Sequence, residues 1–253
     1  MEREAFQDAL ADLDVRWRQM ESMRTQMTVK VNDPSGSQEV RGLLHFKTPD
    51  SFRFSALSPA GSPVAVMVAS ERQLTEIYIR SNTAVRGSLS DARLKRLFEM
   101  DVRVSDIRRA IAANPFIGAP FTEGNLRRTE DEAVLNRPME STGGEEEIRL
   151  KWINGEPVVT EWKQRAADGG ETLAIRFWNY RSVGGLLRPM DVSIERKPEQ
   201  VRMRFHATDP QVNVELNPSQ FQHRLPPGAR TIWVNDEGDP IDPPSEGEDQ
   251  SVP

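Results

Sequence analysis

The hydrophobic period of this chain changes from about 3.6 to 2 near Thr25, and that switch limits the possible folds more than any other feature. Upstream, Phe6, Leu10, Leu13, Trp17 and Met20 recur every three or four residues among Glu, Asp and Arg, which predicts one amphipathic helix. Downstream, apolar residues alternate with small or polar ones: Met27, Val29 and Val31, then Leu44 and Phe46, Phe52 and Phe54, and Val64, Val66 and Val68. Between them stand Asn32-Asp33-Pro34-Ser35-Gly36, Thr48-Pro49-Asp50 and Ser58-Pro59-Ala60-Gly61-Ser62. These are short turn formers, so successive strands pair as antiparallel hairpins, and Gln73 to Arg80 predicts a fifth strand.

Two helices then interrupt the pattern. Ser90-Asp91 caps a run carrying Leu94, Leu97 and Phe98, and Ser105-Asp106 caps a run carrying Ile107, Ala110 and Ile111 that ends before Asn114-Pro115. Strands are expected again over about Asn125 to Arg137, Glu147 to Ile153, Val158 to Arg165, Thr172 to Tyr180, Met190 to Arg196, Val201 to Ala207 and Val212 to Leu216. With no βαβ alternation, the expected fold is mostly β with helices. It is an incomplete antiparallel β-barrel of about eleven strands, closed by the amino-terminal helix and a helical lid. A single domain is expected over residues 1–234, followed by an acidic, Pro-rich, disordered tail over 235–253.

Composition narrows the chemistry. The absence of cysteine removes disulfides, thiol nucleophiles and thiolate zinc sites, and a net charge of -6 argues against nucleic acid as the main partner. The longest apolar run, Pro63 to Ala69, is far short of the roughly 20 residues of a spanning helix. Met1 is followed by Glu2-Arg3-Glu4 with no apolar stretch, so no signal peptide is read. His45, His206 and His223 lack metal-ligand spacing, and no Gly-x-Ser-x-Gly elbow occurs. Gly143-Gly144, Gly169-Gly170 and Gly184-Gly185 read as hairpin turns, and Glu145-Glu146-Glu147 as a solvated turn. Neither catalysis, a metal nor a cofactor is expected.

An apolar sheet face turned inward in a barrel of this size encloses space for an apolar ligand. The residues expected to line it are Phe46, Phe54, Val66, Ile148, Leu150, Trp152, Leu173, Ile175, Phe177 and Met203 on strands. On the lid they are Leu94, Leu97, Phe98, Ile107, Ile111 and Phe116. Plain core packing is the competing reading for each strand residue, because alternation identifies a buried face and not a void.

Four local features resemble the LolA/LolB superfamily of lipoprotein carriers, in its LolB-like branch. An amphipathic helix enters a strand through Val15-Arg16-Trp17 and Met27-Thr28-Val29-Lys30-Val31, and the run Gly42 to Phe54 is similar to the family's G-x-L-x-x-x-x-P-x-x-x-R double strand. Ser58-Pro59-Ala60-Gly61-Ser62 stands where the branch has its Asn-Pro-Leu-Gly hairpin. Asn217-Pro218-Ser219-Gln220-Phe221 with Leu225-Pro226-Pro227-Gly228 is similar to the closing F-x-x-x-x-P-x-G. The resemblance implies non-catalytic binding of the acyl chains of lipoproteins or lipids, for transfer to the outer membrane. It also implies a periplasmic location with anchoring by an amino-terminal lipid absent from this sequence, and contact with a carrier protein. The hairpin Leu57, Pro59, Ala60 and Gly61 would meet membrane or partner; Ala60 replaces the receptor branch's leucine, and Thr48 the carrier branch's arginine. The same fold with a collapsed interior would instead serve as a periplasmic structural or sensory module for a protein partner.

Overall fold

The computed structural model describes residues 11, 13–34, 36–48, 51–70, 72–98, 104–113, 125–129, 131–139, 142–197, 200–222, 225 and 227–243; of 96–98, 125, 126 and 128 it describes the backbone alone. The expected positions Phe6, Leu10 and Phe116, and the side chains of Leu97 and Phe98, lie outside the described residues.

A first meander comprises β1 (Ser22–Asp33), β2 (Gly36–Lys47), β3 (Ser51–Leu57), β4 (Pro63–Ser70), β5 (Gln73–Tyr78) and β6 (Thr83–Ser88). Helices α1 (Asp91–Phe98) and α2 (Val104–Ala112) follow. A second meander comprises β7 (Asn125–Arg128), β8 (Glu132–Met139), β9 (Gly144–Ile153), β10 (Glu156–Arg165), β11 (Glu171–Val183), β12 (Leu186–Arg196) and β13 (Val201–Val212). A 3-10 turn (Pro218–Gln220) then leads to β14 (Arg230–Val234) and β15 (Pro240–Ile241). Among the described residues these fifteen strands form one sheet in the order β15-β14-β6-β5-β4-β3-β2-β1-β13-β12-β11-β10-β9-β8-β7.

The meanders join where β1 pairs with β13, Met27 opposite Ala207 and Val31 opposite Met203. β14 pairs parallel with β6, so the sheet is mixed and open, with β7 and β15 as its edges. Expectation and structure differ here. Asn125 to Arg137 is two strands that turn at Thr129, whose N–H donates to Glu132 O at 2.8 Å. The segment expected as a strand over Val212 to Leu216 leaves the sheet after Val212, where Asn213 turns left-handed at φ 54°. β6, β14 and β15 are short and carry little alternation, so a period of 2 does not reveal them. β15 pairs back on β14, Trp233 opposite Ile241, so ordered pairing continues past the boundary expected at residue 234.

Because β6 and β7 lie near opposite ends of the sheet, the connection between them must cross twelve inter-strand steps, roughly 55–60 Å. That crossing puts α1 and α2 over one face, called inner here. Under them and the helical turns at 13–18, alternate strand residues form two apolar clusters. Trp162, Leu173, Ile175 and Phe177 belong to the β8–β13 half, and Leu44, Phe46 and Leu74 to the β1–β5 half. On the outer face Val66, Val68, Ile77 and Ala84 are covered by Leu216 and Phe221. The outer face of the second meander is an ionic ladder: Arg176 bonds Glu161 at 2.8 Å and Glu195 at 3.0 Å, and Arg202 bonds Glu195 at 3.0 Å.

An apolar cavity beneath the helices

Between the inner face and the two helices lies a cavity of about 280 Å³. Its wall comes from both meanders: Met27, Val29 and Val31 of β1, Leu44 of β2, Phe52 and Phe54 of β3, Met67 of β4, and Met203 and Phe205 of β13. Its roof is Leu89, Leu94, Val104, Ile107 and Ile111. Gly42 shapes the wall locally, since a Cβ there would stand 2.7 Å from the Phe54 ring and 2.5 Å from Ser55 O. The absent side chain at Gly42 lets the ring approach β2 closely. Among the described residues only Gln38, Glu76 and Tyr78 bring polar side chains to the lining.

Glu76 and Tyr78 belong to a polar cluster, buried at Glu76 and Arg93, that ties α1 to the sheet. Arg93, 3% exposed, donates to Glu76 Oε1 at 2.8 Å, Leu74 O at 3.0 Å, and Ser88 O and Val85 O at 3.3 Å. Tyr78 Oη donates to Glu76 Oε2 at 3.0 Å, and burial together with the Glu76 charge pushes its phenol up to about 12. α2 is held at both ends by β12. Arg196 pairs with Asp106 at 2.8 Å, and Arg188 donates to Ala112 O at 2.5 Å and Ile111 O at 2.7 Å. Arg188 has exchanged water for helix carbonyls, and burial lowers its guanidinium to about 10. Arg109 lies 4.7 Å from the Trp162 ring centroid, adding a cation–π contact.

Of the residues expected at the cavity, the structure brings Phe54, Leu94, Ile107, Ile111 and Met203 to it. Val66 borders it as well, but its phase is that of Ser55 and Ile77, and its side chain packs with Leu216 and Phe221 on the outer side. Phe46 is core behind the wall. Ile148, Leu150, Leu173, Ile175 and Phe177 are core of the second meander, with Trp152 packed against them, away from the cavity. The polar corner escaped the sequence reading, although its signal is present: Glu76 stands in phase with Leu74 and Tyr78.

The expected turn at Glu145-Glu146-Glu147 is instead the start of β9. Glu146 and Glu147 are both buried and face opposite sides. Glu146 takes hydrogen bonds from Trp162 Nε1 and Arg137 on the inner side, whereas Glu147 pairs with Arg149 at 2.8 Å and Arg165 at 3.1 Å on the outer side. They cannot share a substrate as an acid–base pair. Among the described residues no group of three His, Asp or Glu converges to hold a metal ion, and no helix is long and apolar enough to cross a membrane.

The Ser58 to Ser62 hairpin joins β3 to β4, whose Ala56 and Ala65 line the cavity. Gly61 N–H donates to Ser58 O at 2.8 Å with Gly61 at φ 82°, and Pro59, Ala60 and Gly61 are exposed. Val64, Tyr78, Ile79 and Val40 add exposed apolar surface on the neighbouring strands. Leu57 is half-buried beside Pro63 rather than at the tip.

No family model matches the sequence, and neither does any curated protein. The fold is nevertheless shared with solved structures. A DUF1329 family protein from Desulfovibrio piger superposes with a TM-score of 0.61 at 12% identity, covering 85% of this chain and 97% of that one. A LolA superfamily protein from Nitrosomonas europaea gives 0.58 at 16%, covering 85% and 97%. A putative outer membrane lipoprotein-sorting protein domain from Vibrio parahaemolyticus gives 0.57 at 11%, covering 84% and 95%. The chain therefore has the mostly β fold of LolA-like lipoprotein-sorting domains.

Proposed function

We propose that this protein binds acyl chains of lipoproteins or lipids without catalysis, as a carrier or acceptor for transfer to the outer membrane in the manner of the LolB-like branch. The observation that carries the reading is the cavity itself: about 280 Å³, apolar except at Gln38, Glu76 and Tyr78, and roofed by two short helices. Burial of methylenes drives such binding at about 0.8 kcal/mol each, offset by the cost of parting helices from wall. The sheet acts as an incomplete barrel around the chain and α1 with α2 as its lid.

The same reading places the protein in the periplasm, held at the outer membrane by an amino-terminal lipid. The exposed hairpin at Leu57, Pro59, Ala60 and Gly61 meets the membrane surface or a carrier protein that delivers cargo at the cavity mouth. Native mass spectrometry and lipid extraction of the purified protein test the reading, with displacement of a fluorescent acyl probe. Co-purified acyl species and saturable probe binding are expected. Absence of both would sink the carrier reading, and recovery of one stoichiometric protein without lipid would favour the partner-binding module instead.

A further inference from the structure

The polar corner of the cavity has a direction of hydrogen bonding. Glu76 and Tyr78 stand on β5, directly opposite Met67 and Ala65 of β4 on the inner face. From there the lining runs through β4, β3, β2 and β1 to Met203 and Phe205 of β13, so these two polar groups sit at one end of an apolar trough. Gln38, the other polar side chain among the described lining residues, is exposed on β2 opposite Val31, three strands from β5.

The donors at this corner are spent on the protein itself. Arg93 stands behind it, outside the lining, and gives the hydrogens of its two Nη atoms to Glu76 Oε1, Leu74 O, Ser88 O and Val85 O. Tyr78 Oη gives its single hydrogen to Glu76 Oε2, and burial with the Glu76 charge raises the phenol to about 12, so that hydrogen stays in place at neutral pH. What remains open is lone pairs, because a carboxylate offers about four acceptor positions and a phenol oxygen accepts as well. A ligand carboxylate brought here would meet a second carboxylate and no free hydrogen, and would shed its water without replacement. A hydroxyl or an amide N–H would instead fill an open acceptor position.

We propose that the Glu76–Tyr78 corner selects chains whose head carries an uncharged hydrogen-bond donor, a hydroxyl or an amide N–H, and turns away ionised fatty acids. This selectivity rests on the acyl-chain reading of the same cavity and adds to it the chemistry of the chain's end group.

Displacement of the uncharged probe N-phenyl-1-naphthylamine from the full chain, by ligands of one chain length, tests the selectivity. Decanol and decanamide should displace the probe at concentrations at least about tenfold below decanoate, and the tighter of the two names the donor. Nonyl methyl ether, isomeric with decanol but without a donor, should fall behind decanol. Any apolar space disfavours decanoate, so the deciding readout is how the decanol-to-decanoate preference moves in variants, a ratio from which the probe's own affinity cancels. Glu76→Gln removes the repelling charge and leaves the Arg93 cation unbalanced, so the preference should fall about tenfold. Tyr78→Phe takes away the donor of Glu76 Oε2, which a ligand hydroxyl then replaces, so the preference should rise about threefold or more. Circular dichroism checks the fold of both variants. Tyr78 is 41% exposed and the change deletes one oxygen, so Tyr78→Phe decides alone should Glu76→Gln fail to fold. A preference that stays put or moves the other way, or an ether as effective as decanol, overturns the selectivity, while saturable probe binding leaves the carrier reading standing. Absence of saturable probe binding by the unaltered protein overturns both.

Discussion

Arg93→Met removes a guanidinium that is 3% exposed and makes four hydrogen bonds, one of them to Glu76 at 2.8 Å. What remains is a carboxylate at the cavity wall with Tyr78 Oη as its sole named donor. Breaking a buried pair from one side typically costs about 3–5 kcal/mol, because the surviving charge stays desolvated. Adding Glu76→Gln removes that charge and leaves an oxygen for Tyr78, so the double variant should recover about 2 kcal/mol of the loss. In urea unfolding followed by circular dichroism at pH 7, with a slope of about 3 kcal/mol/M, the single variant should lower the midpoint by about 1 M or more. Gly87 shows how closely the guanidinium fits, since a Cβ there would sit 2.9 Å from Arg93 Nη1. A midpoint shift below about 0.3 M for Arg93→Met, or a further loss on adding Glu76→Gln, would refute the claim that this pair fastens α1 to the wall.

Three further outcomes are expected. Affinity for uncharged alkyl glycosides should rise about fourfold per methylene and level off near ten carbons, as 280 Å³ holds about nine groups of water size; an affinity flat in chain length removes burial as the driving force. Ala60→Leu adds roughly 2 kcal/mol of transfer energy at the hairpin tip and should strengthen liposome binding where Ala60→Glu weakens it; indifference to both excludes the hairpin from the membrane contact. For Glu195 and Glu147 burial favours the neutral acid, but hydrogen bonds from Arg202 and Arg176, and from Arg149 and Arg165, outweigh it and depress both carboxyls below 4.5. Their stabilisation is therefore complete above the unfolded value and lost as pH falls through the folded one. The melting-temperature gap between the unaltered protein and Glu195→Gln should hold above about pH 5 and close toward pH 3, and a gap that persists in acid contradicts the assignment.

Much of the inner wall is legible in the sequence because each strand there buries one side. Phe52 and Phe54 alternate with polar neighbours, and Ile107 and Ile111 recur at helical spacing. β4 is not legible in that way. Pro63 to Ala69 is apolar throughout, buried inward at Met67 and Ala69 and outward at Val66 and Val68, so periodicity cannot say which set faces the cavity. The arginines that hold α2 were illegible for another reason. Arg188 lies 77 positions from Ile111 and Arg196 lies 90 from Asp106, separations at which no local pattern operates. β15 was hidden by composition, since it carries one apolar side chain within an acidic, Pro-rich stretch.

The seam between β1 and β13 has a consequence in time as well as in space. Each meander is built from neighbouring hairpins, contacts that a chain finds quickly, whereas Thr25 and Thr208 must meet across 183 positions. Because β1 and β13 both wall the cavity, ligand capacity should wait for this long-range pairing. A chain emerging from the ribosome owns α1, α2 and the first meander long before Met203 and Phe205 arrive, and until then it exposes β1 as a bare edge beside an incomplete cavity wall. In refolding, acyl-probe binding should accordingly lag behind the appearance of β structure and track closure of that seam.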